Sequence, residues 1–139
     1  KRIPVDIDSV PAAAADIKPD TRAALALFLD SFAALAREHG LEAWLFYLPA
    51  KLRCWQGQLE FTDSAPQDIR MWRPTDLPDH LGALAQARGL RFFDLTPALI
   101  DATRTGDTLL FNPQLAPHLN AAGSAVVAGA MARALRPAR

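Results

Sequence analysis

The chain writes one phrase twice. Residues 34–49 read ALAREHGLEAWLFYLP and residues 83–97 read ALAQARGLRFFDLTP. Each is the end of a helix, a Gly-Leu stop, a short strand and a proline. Glycine just past a helix takes the left-handed backbone that closes the last turn. The run Ala43–Leu48 is apolar without alternation, which suits a strand covered on both faces, as in a parallel sheet, and Leu90–Leu95 reads as a second strand. Parallel strands need crossovers, and a helix is the usual one. The doubled phrase therefore predicts an α/β fold with right-handed crossovers. Two copies separated by a long loop do not make a solenoid.

The rest of the chain fits around those two phrases. Residues 1–19 are rich in Pro and Ala and have no period, and Pro4, Pro11 and Pro19 speak against a long regular element there. A helix then follows, with Asp20 or Thr21 as cap. Its buried face is predicted to be Leu25, Phe28, Leu29, Phe32, Leu35 and Ala36, and its stop is Gly40. Residues 50–74 read as a long irregular connection holding Cys54, Trp55 and Trp72, and loops of such length tend to be functional or mobile. A second helix is capped by Thr75 or Asp76, buries Leu77, Leu81, Leu84 and Ala85, and stops at Gly89. Pro97 opens a short helix to about Arg104. Asn120 caps a last helix that runs to about Leu135 and is dominated by small residues. The expected fold is a three-layer α/β/α domain with a parallel sheet. It spans residues 1–139 as one domain or as the carboxyl-terminal portion of one, with 1–19 as lead-in and 20–135 as helix–strand units.

Charge narrows the function classes. Fifteen basic and fifteen acidic residues give a formal net charge of zero, so nothing draws in nucleic acid or anionic lipid. No run of about 18 apolar residues is present to span a membrane. A single cysteine excludes an internal disulfide framework. Three separated histidines and that cysteine give no metal-ligand spacing, and no cofactor is implied. The chain opens Lys1-Arg2-Ile3, which reads as a cut end. The compartment, periplasmic or cytoplasmic, stays open.

One segment carries chemistry. Residues 109–135 read LLFNPQLAPHLNAAGSAVVAGAMARAL. This resembles the last catalytic block of the SGNH (GDSL-like) hydrolases of bacteria, in which an aspartate shortly precedes a histidine and a His-Leu-Asn-Ala-Ala-Gly type sequence opens the final helix. RFFDLTPAL is similar to the strand and turn that lead into that block, and LFYLPAKLRCW to a strand followed by a Pro-x-Lys turn. The resemblance covers roughly 20–135 and is most specific over 90–135. It implies ester hydrolysis or acyl transfer through a serine intermediate, on small-molecule or carbohydrate O-acyl esters such as acetyl esters. His118 falls on the general base, which takes the serine proton and returns it to the leaving group.

Two members of the triad are not in place. The aspartate that orients the histidine should stand where Ala116 or Leu115 stands, and the Asp-x-His-Leu-Asn form of the motif points to Ala116. Either the acid was deliberately replaced, which the otherwise intact motif favours slightly, or it was lost naturally. The Gly-Asp-Ser turn of the family is also missing. Ser9, in Asp8-Ser9 after Val5-Asp6-Ile7, is a weak stand-in for the nucleophile, and the Asp63-Ser64 dipeptide is weaker. The first strand, serine and oxyanion hole are therefore expected upstream or on another chain.

Lys51, Trp55 and Asn120 are candidate substrate contacts. For Lys51 the alternative is a solvated turn lysine. For Trp55, as for Met71 and Trp72, it is a hydrophobic cluster under the long loop. Asp94 is read as capping the next short helix, and His39 and His80 as structural or solvated. A non-catalytic binding domain that kept the fold and lost the triad is the competing function. A half-sheet without its first strand would expose an edge, so the chain is expected to associate with a missing segment or with itself.

Overall fold

The structure, a computed structural model, describes residues 3–4, 10–55, 57–61, 65–106, 109–112 and 118–136. Its elements are β1 (Ile3–Pro4), α1 (Pro19–Glu38), β2 (Trp44–Tyr47), α2 (Lys51–Cys54), β3 (Leu59–Glu60), α3 (Gln67–Met71), α4 (Leu77–Gln86), β4 (Arg91–Asp94), α5 (Thr96–Thr105) and α6 (Ala121–Ala134). β1 pairs with β3 and β2 with β4, both in parallel, so the chain is mixed α/β with small parallel pairings. Two compact units result. One holds Lys1–Pro11, Leu48–Pro74 and Leu95–Arg139, the other Ala12–Tyr47 and Thr75–Asp94.

The second unit is the doubled phrase folded. Its strands pair Trp44 with Arg91, Leu45 with Phe92, Phe46 with Phe93 and Tyr47 with Asp94. Successive strand side chains point to opposite faces. Leu45 and Phe92 accordingly pack on a core of Leu29, Ala33, Ala85 and Leu90 supplied by α1, α4 and the turn after α4. On the other face Trp44 stacks on Phe46 with centroids 5.8 Å apart, Phe46 meets Phe93 at 6.0 Å, and the Arg91 guanidinium lies 5.5 Å over Trp44.

Both helices end in the same device. Gly40 (φ 61°) donates to Arg37 C=O and Leu41 to Ala36 C=O; Gly89 (φ 74°) donates to Gln86 C=O and Leu90 to Ala85 C=O. These are the paired bonds that let a left-handed residue satisfy the last carbonyls of a helix. The chain is then aimed straight into a strand, twice.

Helix starts and helix faces depart from the sequence reading. Pro19, read as a breaker, stands in the first turn of α1, where its missing N–H costs nothing. Lys18, not Asp20 or Thr21, is the cap residue, without a side-chain bond. Phe28 and Leu35, assigned to the buried face, are 56% and 52% exposed. The buried stripe of α1 is Leu29, Ala33 and Ala36.

Asp76 stands at the cap position of α4, one of the two expected, but neither its side chain nor that of Thr75 caps the helix. They hold the lead-in instead. Thr75 Oγ1 donates to Ala12 C=O at 2.8 Å, and Asp76 Oδ1 accepts from the Ala14 N–H at 3.0 Å. α4 buries Pro78, Gly82 and Ala85, while Leu77, Leu81 and Leu84 are half-buried. His80, read as solvated, is half-buried. Its Nε2 is shielded from solvent and has no hydrogen-bond partner among the described residues.

In the first unit, the irregular connection expected over 50–74 contains α2, β3 and α3. α5 packs against both α2 and α6. Its cap is Leu95, one residue after Asp94, and no side chain caps it. Asp94 ends β4 instead.

Candidate functional site

The candidate catalytic and substrate-contact residues named from the sequence all belong to the first unit, whereas His39, His80 and Asp94 belong to the second. Ser9, Ala116, Leu115 and Ser64 lie outside the described residues. Lys51, Trp55, His118 and Asn120 are described, and a continuous set of contacts joins them.

α2 starts directly after Pro49-Ala50, and all four of its residues and Trp55 are buried. Lys51 is therefore not a solvated turn lysine. Its stem is inside, and Nζ donates to the Asn112 carbonyl oxygen at 3.2 Å. Burying an ammonium is costly unless it is hydrogen-bonded, and Asn112 supplies one acceptor. Trp55 has no exposed surface. Its ring meets Phe111 edge to face, with centroids 5.5 Å apart and planes at 84°. Aromatic pairs favour that geometry because the positive ring edge faces the negative π-cloud.

Phe111 and Asn112 are one side of a short antiparallel bridge whose other side is His118 and Leu119. Phe111 bridges Leu119, and the Asn112 N–H donates to the His118 C=O at 3.1 Å. The Asn120 N–H donates to the Leu110 C=O at 3.0 Å. Residues 112 and 118 are thus tied together.

Asn120 then caps α6. Its Oδ1 accepts from the Gly123 N–H at 2.9 Å, as the sequence predicts, and its Nδ2 donates to the Leu109 C=O. Gly123 packs directly on the Leu110 carbonyl and on Leu119 Cδ2. The His-Leu-Asn-Ala-Ala-Gly run is thus a structural lock: Asn ties the helix start to the segment Leu109–Leu110, and Gly permits the backbone contact.

The lock presents an imidazole to solvent. The His118 side chain is exposed, on a backbone fixed through its own carbonyl and through the cap two residues on. No side chain among the described residues hydrogen-bonds or ion-pairs with its ring. An imidazole so placed can accept a proton, but nothing described here selects its tautomer. No group of three His, Cys, Asp or Glu among the described residues could hold a metal, and no helix described is long and apolar enough to cross a membrane.

Arg53 is the residue that the sequence reading missed. It is buried in α2 with its guanidinium 5.7 Å from the Trp72 ring centre. The Trp72 Nε1–H donates to the Pro11 C=O at 3.1 Å, which fixes that ring. Trp72 also lines an open cleft of about 170 Å³ with Leu52, Leu59, Phe61, Ile69 and Arg73. Met71 is exposed. Nothing in the spacing of Arg53 marks it as buried, because a four-residue helix is too short to show a period.

Compared with protein-family models, with curated proteins and with solved structures, the chain matches none.

Proposed function

We propose that this chain carries the base-bearing half of a serine acyl-transfer site, acting on O-acyl esters such as acetyl esters, with His118 as general base. The β2–β4 pair and its flanking helices would then be part of a three-layer α/β/α domain. One observation carries the reading: an exposed imidazole stands on a backbone locked from both sides, by Asn112 and by the Asn120 cap. In the proposed reaction a serine Oγ attacks the ester carbonyl while His118 takes its proton. The imidazolium then protonates the departing alkoxide, and a water or an acceptor hydroxyl repeats the sequence to release the acyl group. An acid at position 116 would hold the ring in the tautomer that accepts the proton. Alanine cannot.

The second reading, a non-catalytic binding domain, is favoured by that alanine together with a His118 ring that has no side-chain partner among the described residues. A fluorophosphonate probe followed by intact mass separates the two. It is run on the chain, on Ala116→Asp, and on each with His118→Ala. An adduct that grows with Ala116→Asp and vanishes with His118→Ala supports the acyl-transfer reading. Its loss in Ser9→Ala would place the nucleophile at Ser9. No adduct in either background leaves the binding domain.

A further inference from the structure

α1 has two apolar faces, and its own unit covers only one. Leu29, Ala33 and Ala36 are buried. On the opposite side Leu27, Phe28 and Leu35 are 69%, 56% and 52% exposed, and Leu41, just past the helix, is 65% exposed. Ala24, Ser31 and Ala34 share that side and are also exposed. Positions 24, 27, 28, 31 and 35 follow the three-and-four spacing of a single helical stripe. Monomeric proteins rarely expose a contiguous apolar patch of this kind without using it.

We propose that this stripe pairs with the same stripe of a second copy of the chain, with the two α1 helices antiparallel about a two-fold axis at Ser31. Three observations favour a second copy. The first is self-complementarity. Leu27 and Leu35 lie four residues either side of Ser31, so a two-fold axis there sets Leu27 of one copy against Leu35 of the other. Phe28 then meets Ala34, a large residue against a small one, and Ala34 meets Phe28 in return, the reciprocity that a two-fold contact requires.

The second is area. Four side chains of this size, more than half exposed, offer on the order of 400 Å² of apolar surface. A standard interface takes about 800 Å² from each partner, a little over half of it apolar, or roughly 450 Å². The stripe alone supplies most of that. The third is charge. Fifteen basic and fifteen acidic residues sum to zero, so no net repulsion keeps two copies apart. Phe28 is already stacked on Phe32 at 5.9 Å, which reduces the side-chain ordering that association requires.

Sedimentation equilibrium between 5 and 200 µM tests this. The expected mass rises from 15.1 kDa towards twice that value over the range. The double variant Leu27→Glu, Leu35→Glu weakens association at least 100-fold while its circular dichroism stays that of the parent, since both residues are solvent-exposed in the single chain. Ser31→Cys, which would meet itself on the axis, forms an oxidised dimer, whereas Glu38→Cys, about 10 Å further along each antiparallel helix, does not. A chain that stays at 15.1 kDa at 200 µM overturns the proposal. So does a dimer indifferent to the two glutamates, which would point to pairing elsewhere, such as a strand edge.

Discussion

The carbonyl oxygen of Leu110 occupies the space that a Cβ on Gly123 would need, and Leu119 Cδ2 stands 2.8 Å from the same point. α6 can sit where it does only because residue 123 has no side chain. The contact is to backbone, which cannot swing aside. Gly123→Ala is therefore expected to destabilise the chain by about 2–3 kcal/mol, as overpacking against a rigid wall does, although alanine favours a helix by about 1 kcal/mol. Gly129→Ala in the same helix meets nothing closer than Arg133 Nη1 at 3.5 Å and is expected to gain up to about 1 kcal/mol. Urea midpoints of the two variants, read against the parent, should move in opposite directions.

Asn120 works with both ends of its amide. Asn120→Ala loses the acceptor for the Gly123 N–H and the donor to the Leu109 C=O, and should cost about 1–2 kcal/mol. Asn120→Asp keeps the acceptor alone and should fall between Ala and the parent by the same measurement. If aspartate matches asparagine, the bond to Leu109 contributes nothing.

The Lys51 bond to Asn112 has a consequence at His118. Lys51→Met keeps the buried stem and removes the donor, leaving the Asn112 carbonyl without this partner, at a cost of about 1–3 kcal/mol. The next link is the Asn112 N–H to the His118 C=O. Amide exchange at residue 112 should therefore quicken more than exchange in α1, which belongs to the other unit. Equal quickening in both would mean that Lys51 only adds global stability.

The two glycine stops should behave alike. Gly40→Ala and Gly89→Ala would meet no neighbouring atom, so their cost is the left-handed backbone itself, about 1–2 kcal/mol each. Thermal or urea unfolding gives the numbers. A cost near zero at either site would mean that the turn relaxes to another conformation.

At the site, Ala116→Asp should raise fluorophosphonate labelling or acetyl-ester turnover if His118 is a base. The triad comparison puts the gain from restoring a correctly placed acid as high as about 10⁴. His118→Ala in that background should return the rate to its starting level.

Local rules read without tertiary information settled a good deal of this chain. The doubled phrase fixed two helix ends, two glycine turns and two parallel strands, because left-handed closure and a short strand-forming run after it depend on neighbours in sequence. The Asn120 cap was legible for the same reason: its partner is three residues away.

What needed tertiary structure was every choice among equivalent neighbours. α1 is apolar on nearly all sides, so its pattern could not say that Ala33 would be buried and Phe28 and Leu35 left out; only the placement of α4 and β2 decides that. Thr75 and Asp76 are good caps by type, yet their side chains bond to Ala12 and Ala14, sixty-odd residues away in sequence. Lys51, a residue type usually found at the surface, is buried, and the Asn112 carbonyl is one acceptor that stands where its ammonium ends. Periodicity and capping are short-range and written in the sequence, whereas burial of a polar group depends on a partner that only the fold brings near.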